Sequence, residues 1–326
     1  MRAMFITEFG GPEVLKIGDV VEPKVLENDL LVEVHAVGLN PVDTKVRKGM
    51  HGPKPFPHTL GRDVSGVVVA MGRKARNFKV GDEVYASPSL ARDGACAELV
   101  AVDYRGVALK PAKLDHVQAA ALPLVTLTAW ESLHERAAIH PGETVLIQAG
   151  AGGVGHIALQ LAKGHGCRVI TTASRPETME LCKRFGADVV IDHRKQSFVE
   201  VVQKETGGKG CPVVLDTVGG DVFDKCLDCV AVNGRLVTIV LNENARVIPA
   251  LFRKNATLHM EFMGVPGIHG VGLEKQGETL RTAAELVDAG KLRPHVSEVI
   301  SLEQVPDAHR ALEAGRVIGK IVVKMR

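Results

Sequence analysis

The sequence predicts an α/β protein of two domains, one of them built on a doubly wound parallel sheet. Three observations carry this. The chain of 326 residues is longer than a single hydrophobic core usually grows. Its texture changes near residue 122, from short β-rich runs broken by Gly and Pro to a regular alternation of apolar strands and amphipathic helices. Early in that alternation a glycine-rich turn, Gly150-Ala151-Gly152-Gly153-Val154-Gly155, joins a strand to a helix.

The first part of the chain offers strands at 14–20, 30–39, 64–71 and 95–102. Pro41, Pro53, Pro55, Pro57, Pro88 and Pro111 punctuate it and exclude long helices there. From Leu122 a helical stretch passes through Trp130 and Leu133. Strands at 144–149, 168–172, 189–191, 213–216, 235–240 and 257–262 then alternate with helices at 154–165, 177–185, 198–205 and 222–230. The tail from Gly264 adds helices at 280–289 and 305–314 and a strand at 320–325. Too small to stand alone, it is expected to pack back onto the N-terminal β domain. The expected domains are therefore 1–122 plus 263–326, interrupted by 123–262.

Composition narrows the function. Apolar residues make up 45% and charged residues 24%, near the averages of folded globular proteins, which excludes wholesale disorder. The net charge of +2 gives no electrostatic reason to expect nucleic acid or an anionic membrane as partner, so a small molecule is expected. The uncharged run 144–162 contains Gln148, His156, Gln160 and the glycine turn, so it reads as strand and helix, not as a membrane span. The N-terminus, MRAMFITEFGG, lacks the apolar core and cleavage site of an export signal, and a cytoplasmic home is expected. Cys96, Cys167, Cys182, Cys211, Cys226 and Cys229 are expected as free thiols. The CxxC pair Cys226 and Cys229 has no second pair or neighbouring His, and reads as a helix face rather than a zinc site.

In the glycine turn, Gly150 allows the tight bend, Gly152 leaves space for a pyrophosphate against the backbone, and Gly155 lets helix and strand approach; Ala151, Gly153 and Val154 complete the loop. Free N–H groups at the helix start bind the phosphates of such a ligand, so a dinucleotide site is expected. An NAD site places an acid roughly 20 residues further on. Here stand Thr172-Ala173-Ser174-Arg175, with no acid before Glu177. A hydroxyl and a guanidinium suit a 2′-phosphate, so NADP(H) is expected. Ser174 also reads as the N-cap of the next helix, with Glu177 completing a capping box. His193, just past the third strand, faces either the adenine side or solvent.

Several stretches together carry a family resemblance: Gly38-Leu39-Asn40-Pro41-Val42-Asp43-Thr44-Lys45, Leu60-Gly61-Arg62-Asp63, Val80-Gly81-Asp82-Glu83-Val84, the glycine turn, and the terminal Gly319-Lys320-Ile321-Val322. Over nearly its whole length the chain resembles the medium-chain dehydrogenase/reductase superfamily, and within it the zinc-independent, zeta-crystallin-like quinone oxidoreductases. The resemblance implies a GroES-like β-barrel catalytic domain interrupted by a Rossmann domain. It also implies an active site in the cleft between them and a homodimer formed through the sheet edge at 257–262. Zinc-dependent members place Cys at Asn40 and Gly-His-Glu at Gly61-Arg62-Asp63. Arginine has no accessible lone pair, and between Asp82 and Ala112 there is only Cys96, so neither a catalytic nor a structural zinc is expected.

Without a Lewis acid the resemblance points to hydride transfer from NADPH to an activated acceptor, a quinone or an α,β-unsaturated carbonyl. In such members Asn40 faces the cleft, where its amide would donate to the developing oxyanion; a turn asparagine before Pro41 is the plainer reading. Asp43 is implied to orient this loop or act through a water. Lys45 replaces a tyrosine of related reductases, as a proton donor or a solvated cation. Thr128 matches the position beside the nicotinamide. Val218, Gly219, Leu241, Asn242, Phe262, Met263 and Gly264 lie at strand ends where ring and ribose would rest, and Lys320 of the terminal motif joins the cofactor set. Two rival functions stay open. One is an enoyl-thioester reductase that uses Arg47, Lys48 and Lys54 as a basic patch. The other is an NADPH-binding structural or RNA-associated protein.

Overall fold

The computed structural model describes residues 1–241 and 246–326. They form two compact units, Met1–Leu127 with Gly264–Arg326, and Thr128–Met263. The first unit opens with strands β1 (Arg2–Ile6), β2 (Lys16–Asp19) and β3 (Asp29–Gly38) and helix α1 (Pro41–Arg47). Strands β4 (His58–Thr59), β5 (Val64–Met71), β6 (Glu83–Ala86), β7 (Leu99–Asp103) and β8 (Val107–Leu109) and helix α2 (His116–Ala120) follow. Helix α3 (Pro123–Trp130) leads into the second unit and runs on as a π-helical stretch, Glu131–Arg136.

The second unit alternates β9 (Thr144–Ile147), α4 (Gly153–Gly164), β10 (Arg168–Ala173), α5 (Pro176–Arg184), β11 (Val189–Asp192) and α6 (Phe198–Glu205). It continues with β12 (Cys211–Asp216), α7 (Gly220–Cys229), β13 (Val230–Thr238), α8 (Val247–Phe252) and β14 (Thr257–Met260). The first unit resumes with α9 (Val265–His269), α10 (Leu273–Asp288), β15 (Val296–Ile300), α11 (Val305–Glu313) and β16 (Lys320–Lys324).

All six strands of the second unit are parallel, in the order β11-β10-β9-β12-β13-β14. Counted within the unit this is 3-2-1-4-5-6, the doubly wound dinucleotide-binding order, whose direction reverses between β9 and β12. Strands covered on both faces carry unbroken apolar runs, and Val145-Leu146-Ile147 and Val213-Val214-Leu215 are fully buried. Leu146, Ile170, Val214 and Leu236 meet Phe198, Val202, Phe223 and Leu227 in one core. Burying each such side chain contributes about 1.5–3 kcal/mol.

In the first unit β3 alternates as a half-covered strand does, with Leu30, Val32, Val34 and Ala36 turned into the core. Its sheet runs β15-β16-β3-β5-β6-β8, with β7 also on β3; β2-β1-β4 form a smaller sheet. The C-terminal β16 pairs antiparallel with β3, Val322 opposite Gly38. The helix expected at 280–289 begins already at Leu273 and the strand expected at 235–240 at Val230, and two further differences have a local cause. The strand expected from residue 95 begins at Leu99, because the Ala95 and Cys96 N–H groups are taken by Gly61 O and Leu60 O. Val14 belongs to a single 3-10 turn opened by Pro12, and the strand follows it.

Candidate active site

β9 ends where Ala149 takes a left-handed conformation, φ +49°, with its N–H held by Thr172 Oγ1 at 3.0 Å. A non-glycine residue held there is strained, by an amount of order 1 kcal/mol, and it throws the glycine turn across the top of the strand. A Cβ on Gly150 would stand 2.3 Å from Thr171 Oγ1, and one on Gly155 2.2 Å from Ala149 O. Only glycine fits at either position. A Cβ on Gly152 would meet only Ala149 O, at 3.2 Å, so the space in front of Gly152 is open. Gly152 is the N-cap of α4 and no side chain caps it. Ala151, Gly153 and Val154 therefore surround a helix start whose first-turn N–H groups have no internal acceptor, an arrangement that fits a pyrophosphate.

Ser174 and Arg175 follow at the end of β10. Asp192 of β11 pairs with Ala173, and His193 N donates to Ala173 O at 3.1 Å, so the exposed His193 emerges beside Ser174. The expected Ser174 cap is not formed. The N-cap is Arg175, whose N–H is accepted by Thr178 Oγ1 at 3.1 Å, because Pro176 takes the first helical position. The Ser174 hydroxyl has no partner among the described residues and is open to a ligand. The Arg175 guanidinium lies 3.3 Å from Glu177 in a half-exposed pair.

At the ends of β12 and β13, the buried Asp216 shapes the loop. Its Oδ1 accepts Val218 N (3.1 Å) and Gly219 N (3.0 Å), and its Oδ2 accepts Thr238 Oγ1 (2.8 Å). Gly219 lies at φ +81°. Val218, Leu241 and Phe262 are exposed apolar side chains, Leu241 at 83%. Met263 is half-buried and Gly264 buried; Asn242 lies outside the described residues. Thr128 is buried on α3.

The first unit contains a buried polar cluster that sequence reasoning reached only in part. Asn40 caps α1, Pro41 opens it, and Asp43 Oδ2 reaches back to Asn40 N at 2.8 Å while Asp43 Oδ1 accepts Gly61 N at 3.2 Å. Burial raises the Asp43 carboxyl to about 6, against the pull of Arg62. Asp63, fully enclosed, accepts Asn40 Nδ2 (2.8 Å) and Lys320 Nζ (2.9 Å) on Oδ2 and Leu124 N (2.6 Å) on Oδ1. Burial pushes its carboxyl up, and Lys320 draws it down. Lys320 Nζ also donates to Asn40 Oδ1, which fixes the orientation of that amide.

The expectation that the Asn40 amide donates to a bound oxyanion is therefore corrected. One N–H goes to Asp63 and the other to Gly38 O (3.2 Å), and the residue is 1% exposed. Asn40 shapes the site from behind. Lys45, half-buried on α1, has an ammonium with no hydrogen bond or ion pair among the described residues. The basic patch for a thioester substrate is also corrected. Arg47 is fully buried against Gly10 O, His309 and Glu313, Lys48 pairs with Glu313, and Lys54 donates to Leu90 O.

The donor set does not fit zinc. The Asn40 amide is saturated, and the Arg62 guanidinium donates to Ser89 O (2.6 Å) and Arg92 O (2.9 Å) and offers no lone pair. The Asp63 carboxylate already holds an ammonium. No group of three or more His, Cys, Asp or Glu among the described residues has the geometry of a metal site.

Residues 26–112 match the family described as alcohol dehydrogenase GroES-like domain, and residues 185–323 the one described as zinc-binding dehydrogenase. The chain is 32% identical to human quinone oxidoreductase, over 99% of this chain and 97% of the other. It is 33% identical to the chloroplastic NADPH-dependent alkenal/one oxidoreductase of Arabidopsis thaliana, over 99% and 79%. The structure of Escherichia coli quinone oxidoreductase complexed with NADPH superposes with a TM-score of 0.89 at 29% identity, covering 99% of this chain and all of that one. With that likeness running the full length, on the strand order and glycine turn described above, the chain belongs to the quinone oxidoreductase branch of the medium-chain dehydrogenase/reductase superfamily.

Proposed function

We propose that the chain is an NADPH-dependent, zinc-independent oxidoreductase that reduces quinones or α,β-unsaturated carbonyl compounds. The observation that carries this is the uncapped glycine turn before α4, with the unpartnered Ser174 hydroxyl and Arg175 at the end of the neighbouring strand. Relatives named quinone oxidoreductase and NADPH-dependent alkenal/one oxidoreductase support the acceptor class. In this reading Thr128–Met263 binds the nucleotide, and Met1–Leu127 with Gly264–Arg326 supplies the acceptor side. Bound NADPH supplies the hydride.

The chain's own residues do the rest. The first-turn N–H groups of α4 hold the pyrophosphate. Ser174 and Arg175, with His193 beside them, select the 2′-phosphate. Val218, Gly219, Leu241, Phe262, Met263 and Gly264 form the apolar and backbone bed for ring and ribose. Thr128 holds the ring's orientation. The unpaired Lys45 ammonium faces the charge that develops on the acceptor oxygen and then gives up a proton to it. Asn40, Asp43 and Lys320 hold the start of α1 in place.

We place the protein in the cytoplasm as a homodimer. The six buried free thiols suit a reducing compartment, and no helix among the described residues is long and apolar enough to cross a membrane. Among the described residues strand β14 pairs on one side only, with β13, and leaves an edge for a second copy. The test is to incubate the protein and NADPH with a panel of quinones, enals, enones and 2-enoyl-CoAs while following loss of the reduced-nicotinamide absorbance. Turnover with quinones or enones is expected. Turnover confined to the thioesters, or none with any acceptor, refutes the proposal.

A further inference from the structure

We propose that Asp63 is a positioning residue for hydride transfer, its single buried carboxylate tying together the first turns of the two helices that carry Lys45 and Thr128. The inference rests on reading those two residues as site residues. Asp63 Oδ1 accepts the N–H of Leu124 at 2.6 Å. Leu124 is the second residue of α3, and Thr128 follows one turn later on the same face. Asp63 Oδ2 accepts Asn40 Nδ2 at 2.8 Å, and Asn40 is the N-cap of α1, the helix of Lys45. Lys320, entering from the last strand, bridges Asp63 Oδ2 and Asn40 Oδ1 and so dictates which edge of the amide meets the carboxylate.

Three donors thus converge on two oxygens that water does not reach. An apolar residue at 63 would leave a buried ammonium, an amide and a helix N–H without an acceptor. A purely structural cluster would need no particular relation to the chemistry. This one terminates at the first turn of each helix that carries a site residue, where a shift of about 1 Å is enough to cost on the order of 100-fold in rate.

The test uses the whole 326-residue chain and two variants, Asp63→Asn and the double variant Asp63→Asn with Lys320→Met. Asparagine keeps the shape but has only one acceptor oxygen: with that oxygen on Leu124 N it turns an NH₂ toward Lys320 and Asn40, and flipped it faces Leu124 N with an NH₂. Removing the Lys320 ammonium then relieves the unpaired buried charge without restoring the tie. Four quantities are read: kcat and acceptor KM, the NADPH dissociation constant, Tm, and the primary isotope effect with NADPH deuterated at the transferred position. Asp63→Asn is expected to lower kcat at least about 30-fold and to raise the isotope effect. Acceptor KM and NADPH affinity should stay close to wild type. The double variant is expected to recover Tm while kcat stays low.

Wild-type kcat per NADPH-binding site in either variant overturns the inference, as does a double variant that recovers kcat together with Tm. If Asp63→Asn does not fold, the double variant decides alone. Wild-type protein inert toward quinones and enones overturns both the inference and the reading beneath it. Lys45→Met and Thr128→Val that both keep full kcat overturn the assignment of those residues and this inference with it.

Discussion

Arg175→Asp asks whether the turn after β10 selects NADPH. A charge-assisted hydrogen bond to a phosphate contributes about 1.5–3 kcal/mol. Arg175 sits at the lower end of that range, because its side chain is 40% exposed and already shares Glu177 at 3.3 Å in a surface pair. The new carboxylate also repels the 2′-phosphate. At roughly 6 Å in a water-like dielectric that adds about 1 kcal/mol for a nearly dianionic group. The sum, about 2.5 kcal/mol, is close to a 70-fold loss of NADPH affinity. NADH meets no such repulsion, and the carboxylate can accept from its ribose hydroxyl, so NADH should bind a few-fold tighter. The ratio of the two dissociation constants is read by nucleotide fluorescence at low and at moderate salt. It should shift by about 200-fold, and less at higher salt because the exposed charges are screened over ~10 Å at 0.1 M. A ratio within about threefold of wild type at low salt would sink this account of Ser174 and Arg175.

Gly155→Ala drives a Cβ to 2.2 Å from Ala149 O, and backbone cannot yield as a side-chain tip does; α4 must leave the turn, so NADPH affinity should fall at least tenfold with about 1–3 kcal/mol of stability. Gly164→Ala on the same helix meets nothing within 4 Å, and a thermal melt should show it neutral or up to about 1 kcal/mol more stable. Burial holds the Asp43 carboxyl near 6 where the free group titrates at 3.8, so the folded chain binds this proton more tightly than the unfolded one. Its contribution to stability is then complete below the lower value and is lost as pH rises through the upper, by about 3 kcal/mol. Urea unfolding across that window should show the slope in wild type and lose it in Asp43→Asn; an unchanged slope refutes the assignment. The six thiols are all buried, and burial pushes Cys211 and Cys229 up to about 12, so a thiol reagent should find almost none in the native protein and six after denaturation.

What the sequence made legible is the chemistry that is local in the chain. The apolar runs of β9 and β12 and the glycines at 150, 152 and 155 sit within single βα units, and spacing alone identifies them. Helix α1 was equally local: Asn40, Pro41 and Asp43 stand at N-cap, N1 and N3. Its signal was outweighed by the proline density around it, although proline at N1 starts a helix as readily as it stops one elsewhere. The same rule explains Ser174. Proline at 176 claims the first helical position, so the cap falls on the residue before it, and the Ser174–Glu177 spacing was one residue out of phase.

The cluster around Asp63 was illegible for a different reason. Its partners lie 23, 61 and 257 positions away in sequence, and no spacing rule links them. Yet each member leaves a trace of its own. Lys320 opens Lys320-Ile321-Val322-Val323, a run buried throughout, and Asp63 precedes Val64-Ser65-Gly66, buried likewise. A charge adjoining an unbroken apolar strand cannot be solvated if that strand is central, so it must find an opposite charge inside the protein. Arg62 spends its guanidinium on Ser89 O and Arg92 O, so pairing Asp63 with Lys320 is the solution that leaves neither bare. The amide of Asn40, read in isolation as a free donor, becomes the third member because its oxygen and its nitrogen answer the two charges in turn.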